Sequence, residues 1–462
     1  MKQDNYRIEK DSMGELPVPH NAYYGAQTMR AKQNFPISNL RFPRSFIYAI
    51  GLIKSAAAKV NIQLGLLEKN IGHTITSAAT EVIEGKFDQE FIVDIFQTGS
   101  GTSTNMNTNE IIANRSIELL GGTIGSKSPV HPNDHVNLGQ SSNDVIPSAI
   151  HIAAVTQIKK YLIPNLNLLK TELEAKSVEF AEVIKTGRTH LQDATPIKLG
   201  QEFKGYAGQI ENNINQFEKI IPELSKLAIG GTAVGTGINT HPEFAKKICT
   251  FLSKESGCKF IETNNHFHAQ STIDTIVASS SITKNLAISL LKISNDIRWM
   301  GSGPRSGIGE ITLPEVQPGS SIMPGKINPV IPESVCQVAA QVIGNDTTIS
   351  IAGQSGNFEL NVMMPVAGYN LLESIAILST ATGNFANQCI HGITATSQGP
   401  KLVQNGLAIA TALVPEIGYD QVAEIAKTAH ERSISIKEAA LLLTNIPEKK
   451  LDELLDARKM TN

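Results

Sequence analysis

The sequence is short of charged residues and of aromatic residues. Of its 462 residues, 18% are charged and 5% are aromatic. Soluble domains usually carry about 25% charged residues, so we expect contacts with other subunits to cover much of this chain's surface. Basic and acidic side chains are nearly balanced, at 40 and 43. This balance argues against a nucleic-acid-binding surface and against a polybasic membrane-binding patch.

Cysteine is also scarce, and its spacing excludes the common metal and redox motifs. Neither a CxxC pair nor a zinc-type spacing is formed by the four cysteines, which are Cys249, Cys258, Cys336 and Cys389. We therefore expect buried free thiols in a reducing compartment.

The sequence shows no recognisable signal for export or for membrane insertion. The residues after Met1 have neither the apolar core of a signal peptide nor the arginine-rich composition of a transit peptide. No run of about eighteen consecutive apolar residues occurs, which is the length that a membrane-spanning helix needs. We expect a cytoplasmic protein without a membrane partner.

What the sequence does contain is apolar residues at helical spacing. They recur every three or four residues from Ile282 to Met300 and from Leu371 to Phe385, which indicates long helices with a buried stripe. We predict a mainly α-helical fold of three domains. These are a mixed, mostly helical domain over residues 1–140, a bundle of long helices over residues 141–395, and a small helical domain over residues 396–462.

The two ends of the chain have different patterns. Proline and turn-forming residues in the first forty or so positions predict an extended, partly irregular segment. Beyond residue 396 we predict two short helices, one from Asp420 to Glu431 and one that begins at Ser435. Ser435 and Glu438 have the spacing of a capping box, in which two side chains satisfy free N–H groups at a helix start.

Four loops rich in turn-forming residues interrupt the helical pattern. They lie at residues 99–101, 128–143, 230–242 and 301–329. Loops of this kind in a compact helical protein are usually functional. The last loop has no clear periodicity, and we predict either a short hairpin or a mobile flap there.

Several familiar motifs can be excluded. Five residues, rather than four, separate Gly319 from Gly325, and Ile327 stands where a phosphate-binding P-loop needs serine or threonine. Residues 99–102 lack the third glycine of a dinucleotide-binding motif, and no GxSxG nucleophile elbow occurs. His131 and His135 have the spacing of a helical zinc pair, but the proline between them argues against one.

The loop at residues 319–329 carries the most informative pattern. It places Ser320 and Ser321 side by side and follows them with Lys326 and Asn328. Hydroxyl, ammonium and amide groups, together with free backbone N–H groups, are the donors that hold a carboxylate. We predict that this loop binds a carboxylate and moves a proton.

Three other polar segments point to the same chemistry. Residues 99–102 supply hydroxyls, and residues 140–144 stand where a loop enters a long helix, whose free N–H groups favour an anion. Residues 187–193 place His190 in a polar loop before a helix that begins near Leu199. Each segment alone can also be explained as a helix cap or a core hydrogen bond. Together they predict a site for small anions.

These segments resemble the fumarase/aspartase superfamily and, within it, the class II fumarate hydratases. The resemblance runs from residues 10–14 to the C-terminal helices, and residues 319–329 match the superfamily's signature loop. The segments typical of the fumarase branch are residues 131–134, 141–144, 239–243, 298–299 and 355–362. Gln192 stands where many fumarases have methionine. The segments 102–107, 328–333 and 345–348 are closer to aspartate ammonia-lyase, which is the alternative function.

The resemblance implies the reversible anti addition of water to fumarate, which gives L-malate through an aci-carboxylate intermediate, a reaction of the tricarboxylic acid cycle. It implies that Ser320 is the catalytic base and that His190, oriented by Glu333, is the second acid/base group. A catalytically inactive structural relative is a further alternative, against which the presence of these residues argues. The implied substrate-binding residues are Ser100, Thr102, Ser141, Ser142, Asn143, Thr189, Ser321, Lys326 and Asn328.

The resemblance also carries expectations about ligands and assembly. His131, Asn133 and Asp134 resemble a second dicarboxylate site, although an ordered surface turn explains them equally well. The family needs no metal and no organic cofactor. Its members are homotetramers in which long helices from four chains form a common core, and each active site draws residues from three chains. The expected partners are therefore a small dicarboxylate and further copies of this chain, without nucleic acid.

Overall fold

The computed structural model describes residues 6–461, which are mostly helical. The helices are α1 (Ala26–Asn34), α2 (Arg44–Gln63), α3 (Lys69–Ile83), α4 (Thr102–Leu119), α5 (Ser142–Gln157), α6 (Ile163–Glu179), α7 (Leu199–Leu224), α8 (Phe244–Ser256), α9 (His266–Ser271), α10 (Asp274–Met300), α11 (Val330–Gly353), α12 (Met364–Gln388), α13 (Gln398–Asn405), α14 (Val414–Ile417), α15 (Tyr419–Arg432), α16 (Ile436–Leu443) and α17 (Glu448–Leu454). The start of the chain, on which the prediction of no signal or transit peptide depends, lies outside the described residues.

The strands form only two-stranded sheets within the described residues. The pairs are β1 (Tyr6–Asp11) with β2 (Gly14–Pro19), β3 (Ile184–Thr189) with β4 (Gln192–Lys198), β5 (Lys226–Leu227) with β6 (Ile261–Glu262), β7 (Ile311–Thr312) with β10 (Thr394–Ala395), and β8 (Gly356–Asn357) with β9 (Leu360–Asn361). All pairs are antiparallel except the parallel pair of β5 and β6.

The chain divides into two compact units, each assembled from three separate stretches. The first contains residues 1–164, 215–285 and 340–379, and the second contains residues 165–214, 286–339 and 380–462. Helices α6, α7, α10, α11 and α12 contribute residues to both units. The division into three domains by sequence stays a prediction.

The long helices predicted from apolar spacing are confirmed. In α10, the predicted stripe residues Leu286, Leu290 and Ile293 are fully buried. By length and composition alone, α10 could cross a membrane, since one of its 18-residue windows has a mean hydropathy of 1.2. Core helices pass the same test, and the helix carries Lys284, whose ammonium lies 2.6 Å from Asp346.

The first forty residues contain more regular structure than we predicted. Besides the hairpin of β1 and β2, they include α1, which begins after Gly25 without a capping side chain of its own. The carboxylate of Glu110, which is buried in α4, takes the place of the cap. It accepts hydrogen bonds from the backbone N–H groups of Gly25, Gln27 and Thr28 and from the Thr28 hydroxyl. A distant acid thus satisfies the free donors at this helix start.

The C-terminal helices follow the prediction closely. Helix α15 covers the first predicted helix, and α16 begins after Ser435 with the predicted capping box between Ser435 and Glu438. A separate apolar cluster holds this part together. Its buried members are Ala410, Leu413, Val422, Ile425, Ala429, Ile436, Ala439, Ala440 and Leu451.

Two further predictions can be compared with the structure. The long loop at residues 301–329 forms no internal hairpin, because its only strand, β7, pairs with β10. All four cysteines are free, as expected; three are buried, whereas Cys336 is partly exposed.

The cap on α1 gives a testable stability difference. In a Glu110→Gln variant, an amide NH2 would replace one carboxylate oxygen and face backbone donors inside the core. We expect unfolding to become easier by about 1–3 kcal/mol, because a buried donor loses its acceptor. The measurement is denaturant or thermal unfolding, with Glu424→Gln on the exposed side of α15 as the control. Equal stability of the two variants would contradict this role of Glu110.

Candidate functional site

The predicted site residues divide between the two units. The first unit contains Ser100, Thr102, Ser141, Ser142 and Asn143, together with His131, Asn133 and Asp134 of the second predicted site. The second unit contains Thr189, His190, Ser320, Ser321, Lys326, Asn328 and Glu333. Each group is described by itself.

In the first unit, the start of α5 is a well-built helix terminus. The Ser141 hydroxyl accepts from the Asn143 N–H at 3.2 Å, and the Asp144 carboxylate accepts from the Ser141 N–H at 3.0 Å. The other oxygen of Asp144 accepts from the N–H groups of Gly230 and Thr232. Burial raises the pKa of Asp144 to about 6, against the opposing effect of these donors. The network fixes the helix start while leaving the Ser141 hydroxyl hydrogen available for a ligand.

The start of α4 also carries hydroxyl groups, but no side chain caps it. The hydroxyls of Ser100 and Thr102 lie 2.7 Å apart, and Gly101 between them has a positive φ of 75°. Gly99 packs so tightly that a Cβ there would lie 1.8 Å from the carbonyl oxygen of Val362. This close approach explains why the segment needs glycine.

A cavity of about 380 Å³ joins these two helix starts. Thr102, Ser141 and Ser142 line it, and most of the remaining lining is polar. The side-chain amides on its wall are Gln27, Asn105, Asn133, Asn137, Gln140 and Asn239. Two helix N-termini and several neutral donors can hold a small anion without a metal ion.

The segment around His131 forms an ordered turn. The His131 Nδ1 accepts from the N–H groups of Asn133 and Asp134, both at 3.2 Å, at the start of a π-helical turn over Pro132–Val136. The same nitrogen lies 3.3 Å from the Asp134 carboxylate. The interpretation as a surface turn is sufficient here, and the second dicarboxylate site stays a prediction.

In the second unit, the polar loop predicted around His190 is the tip of a hairpin. Thr189 pairs with Gln192, so that His190 and Leu191 form the two-residue connection between β3 and β4. Both have left-handed backbone conformations, with φ of 57° and 60°. A tight hairpin turn requires these angles, which glycine and asparagine normally supply. Holding two other residues there costs on the order of 1 kcal/mol each, a kind of strain that occurs mostly at functional sites.

The hairpin is anchored by a buried ion cluster that the sequence did not reveal. Arg188, just before Thr189, donates to both oxygens of Glu310 at 3.0 and 3.1 Å, and the Lys185 ammonium lies 3.3 Å from the same carboxylate. Only 1% of the Glu310 side chain is exposed. No pattern around Glu310 predicts the contact, because the two segments are far apart in the chain.

The loop at residues 319–329 is built around the Ser320 oxygen. That oxygen accepts hydrogen bonds from the backbone N–H groups of Ile322 at 3.2 Å and Met323 at 2.9 Å. A cavity of about 410 Å³ lies beside it, lined also by Lys326. Two amides that point at one oxygen stabilise negative charge on that oxygen.

The ends of the same loop are tied together. The Gly319 N–H donates to the carbonyl of Lys326 at 2.8 Å, and the Asn328 amide donates to the carbonyl of Gly319 at 2.5 Å. The Lys326 ammonium donates to the Asn328 side chain at 2.6 Å rather than to Ser320. These contacts fix Lys326 and Asn328 beside each other at the loop's exposed edge.

Two expectations remain to be compared with the structure: the pairing of Glu333 with His190, and a reaction without a metal ion. Glu333 lies in the first turn of α11, and no hydrogen bond connects it with His190 within the described part of the chain. Among residues 6–461, no cluster of three histidine, cysteine or acidic side chains is placed to hold a metal ion. The expectation of a metal-independent reaction stays a prediction.

The contribution of Glu310 to stability can be tested by substitution. A Glu310→Gln variant would leave the partly buried Arg188 without a carboxylate partner, whereas Lys185 would keep Glu202 at 2.9 Å. We expect a loss of about 1.5–3 kcal/mol in stability, because hydrogen bonds to a charged group are lost. Thermal unfolding measures the effect. Glu182→Gln is the control, since the Glu182 side chain is 85% exposed and lies 3.7 Å from Lys198. An unchanged unfolding temperature in the Glu310 variant would show that the cluster does not hold the hairpin.

Comparison with known proteins identifies the family of the chain. A family profile described as lyase matches residues 14–344, and one described as the fumarase C C-terminus matches residues 409–462. The chain is 50% identical over 459 residues to a class II fumarate hydratase of Nitrosomonas europaea, with 99% of each chain covered. It is 48% identical to the human mitochondrial fumarate hydratase, covering 99% of this chain and 90% of the human one.

The fold is similar to that of solved structures. A crystal structure of a class II fumarase from Schistosoma mansoni superposes with a TM-score of 0.96 at 37% identity, covering 98% of this chain and 99% of that one. This agreement confirms the predicted fumarase/aspartase-like, mainly helical fold. With relatives of this identity and coverage, the chain belongs to the class II fumarate hydratase family.

Proposed function

We propose that this protein is a fumarate hydratase, a hydro-lyase that adds water reversibly and in anti geometry to fumarate to give L-malate. The observation that carries the proposal is the Ser320 oxygen, which two backbone amides hold within the family's signature loop. The names of the relatives supply the substrate, since those described above are fumarate hydratases or fumarases. The site geometry indicates how Ser320 can act as a base, because two N–H groups stabilise negative charge on its oxygen.

The reaction sets clear demands on the site. In the direction of malate dehydration, a base removes a proton from the carbon next to a carboxylate, and hydroxide leaves from the neighbouring carbon. The negative charge spreads into that carboxylate, which becomes a dianionic aci form. The protein must therefore bind two carboxylates and stabilise additional charge on one of them. Fixed donors aimed at the developing charge do this most effectively, with one donor contributing roughly 3–4 kcal/mol.

Ser320 is the proposed base. A serine hydroxyl is too weak an acid to ionise near neutral pH unless its surroundings favour the alkoxide. The N–H groups of Ile322 and Met323 supply such surroundings, because hydrogen bonds to the charged form lower a pKa. The expected help from Lys326 acts through space, since its ammonium is hydrogen-bonded to Asn328.

His190 is the proposed second acid/base group, which protonates the departing hydroxide. Its place at the tip of a strained, exposed hairpin turn lets the ring reach a substrate held elsewhere. Glu333 is proposed to accept from the ring and orient it. Because this contact is not made within one chain, the proposal requires Glu333 of another subunit.

The remaining predicted residues are proposed to hold the two carboxylates. Ser141, Ser142 and Asn143 belong to the start of α5, and Ser100 and Thr102 belong to the start of α4. Of these five, Thr102, Ser141 and Ser142 line the cavity. The other proposed donors are Thr189, Ser321, Lys326 and Asn328. Clamping the substrate at both ends supplies the orientation that makes a slow proton abstraction feasible.

A homotetramer is the proposed working form. Gly344 lies on an exposed face of α11, with no neighbouring atom within 4 Å of a Cβ built there, and Ile351 seven residues on is 55% exposed. A helix-interior glycine costs about 1 kcal/mol relative to alanine, and close approach by a helix of another copy explains it. The family resemblance implies that each active site draws residues from three chains.

The cellular location stays a prediction. The sequence favours the cytoplasm, whereas the relatives include bacterial proteins and proteins named as mitochondrial. The second dicarboxylate site at His131, Asn133 and Asp134 is likewise proposed only from the resemblance.

The function is tested by the ultraviolet absorbance of the fumarate double bond. Purified protein should remove this absorbance from fumarate and generate it from L-malate. A Ser320→Ala variant should lower kcat by about 10² to 10⁴, because a positioned base is lost. Ser306→Ala, an exposed serine in the same long loop, is the matched control and should keep full turnover.

The outcomes are distinct. Absence of any absorbance change with the natural chain rejects fumarate hydration, and release of ammonia from L-aspartate would instead identify the aspartase alternative. Full activity of the Ser320→Ala variant would remove Ser320 from the mechanism.

The assembly gives a further prediction. A Gly344→Leu substitution should prevent close helix packing between chains, so that light scattering after gel filtration detects smaller species with little activity. Ala423→Leu adds a leucine side chain to the exposed side of α15 and should leave the tetramer intact. A stable, active tetramer in the Gly344 variant would place the contact between subunits elsewhere.

A further inference from the structure

A lysine in the core of the first unit has no role in the function described so far. Lys54 lies in the middle of α2 and is completely inaccessible to solvent. Lysine is almost never fully buried unless a partner compensates its charge. The surroundings of this ammonium therefore call for an explanation.

The ammonium is held by neutral groups rather than by an acid. Its Nζ donates to the side-chain oxygens of Asn137 and Gln140, both at 3.0 Å. Among the described residues, no carboxylate lies within ion-pair distance of it. Asp144 acts on Lys54 only through space, since its oxygens accept from the backbone of Ser141, Gly230 and Thr232. Burial lowers the pKa of Lys54 to about 7.

The two amides that hold Lys54 belong to the wall of the cavity of about 380 Å³ at the starts of α4 and α5, which is the proposed site for a carboxylate. Asn137 and Gln140 both line it, and Gln140 directly precedes the helix cap Ser141. Because the ammonium takes their oxygens, their NH2 groups turn to backbone carbonyls of the same loop. Asn137 donates to the carbonyl of Gln140, and Gln140 donates to those of Val136 and Leu138. Lys54 thereby fixes the loop that leads into α5.

Hydrogen bonds from Asn137 extend through Asn105 to Ser142 on the cavity wall. The oxygen of Asn137 also accepts from the amides of Asn105 at 3.1 Å and Asn109 at 3.2 Å. The Asn105 amide in turn lies 3.4 Å from the Ser142 hydroxyl. One buried cation thus organises the polar wall from α2 through α4 to the start of α5.

We propose that Lys54 is a positioning residue for substrate binding: its buried amino group holds the amide-lined wall in register and, when protonated, places a positive charge behind the site for one carboxylate. The inference rests on the proposed function for the identity of the dicarboxylate. Its effect is on binding, because the wall faces a carboxylate in substrate, intermediate and product alike. An interaction that is equal in the ground state and the transition state changes KM and leaves kcat largely intact.

A merely structural role makes a different prediction. If Lys54 only satisfied two amides, its loss would lower stability and turnover without a specific loss of affinity for anions. A split between KM and kcat, together with rescue by a residue that keeps the charge, separates the two roles.

The test uses the assembled enzyme with three variants at Lys54. Lys54→Met keeps the chain length without charge, Lys54→Gln keeps a neutral hydrogen-bond donor, and Lys54→Arg keeps the charge. Lys59→Met is the matched control, because Lys59 lies on the same helix with a partly exposed side chain 3.5 Å from Glu255. Measurements are KM and kcat for L-malate and fumarate, the dissociation constant of succinate by calorimetry, and the unfolding temperature.

We expect Lys54→Met and Lys54→Gln to raise KM and the succinate dissociation constant about tenfold or more, with a much smaller change in kcat. Lys54→Arg should recover most of the affinity, and Lys59→Met should match the natural chain. Unchanged affinity in Lys54→Gln would overturn the proposal. So would a loss confined to stability and kcat. If Lys54→Met does not fold, Lys54→Gln and Lys54→Arg decide the matter.

Failure of the proposed function gives a separate result. If the natural chain binds succinate but does not hydrate fumarate, the function is wrong, and the calorimetric comparison still tests Lys54. If it hydrates fumarate while the Lys54 variants keep their KM, the function stands and this inference fails. If the natural chain neither binds dicarboxylates nor turns them over, both proposals fail.

Discussion

Two backbone N–H groups that point at one serine oxygen are the interaction on which the proposed chemistry depends. The oxygen of Ser320 accepts from Ile322 and Met323 inside a loop whose ends are closed by Gly319, Lys326 and Asn328. Peptide dipoles need no reorganisation when charge develops, so they stabilise an alkoxide more effectively than water does. The glycine is needed for the closure, because a Cβ at Gly319 would lie 2.4 Å from the carbonyl oxygen of Lys326.

The same principle recurs through the first unit, where buried charges satisfy the ends of helices. Glu110 of α4 caps α1 from a distance, and Asp144 joins the start of α5 to the backbone of Gly230 and Thr232. Lys54 donates to the side-chain oxygens of Asn137 and Gln140, which line the cavity at the starts of α4 and α5. A helical protein with few charged residues thus places several of them inside, where each fixes a segment of the site. The remaining donors face the cavity and can bind an anion without a metal ion.

Sequence reasoning recovered the features that are local in the chain. Apolar spacing predicted α10 and α12, and the pair Ser435 and Glu438 predicted the start of α16. It did not recover features that depend on distant partners. The sequence predicted only a polar loop around His190 and not its hairpin, since the turn has neither the glycine nor the asparagine that usually marks one. Glu310, Glu110 and Lys54 were missed for the same reason: their partners lie in other segments, and a single charged residue gives no sign of burial.

The central claim is that the Ser320 oxygen is the base that removes the proton. The most direct measurement is a crystal structure of the assembled enzyme with a bound dicarboxylate that mimics the aci intermediate. The account predicts that the Ser320 oxygen lies about 3–3.5 Å from the reacting carbon while it still accepts from the N–H groups of Ile322 and Met323. An oxygen remote from that carbon, or one that has lost both amide donors when the ligand is bound, would contradict it.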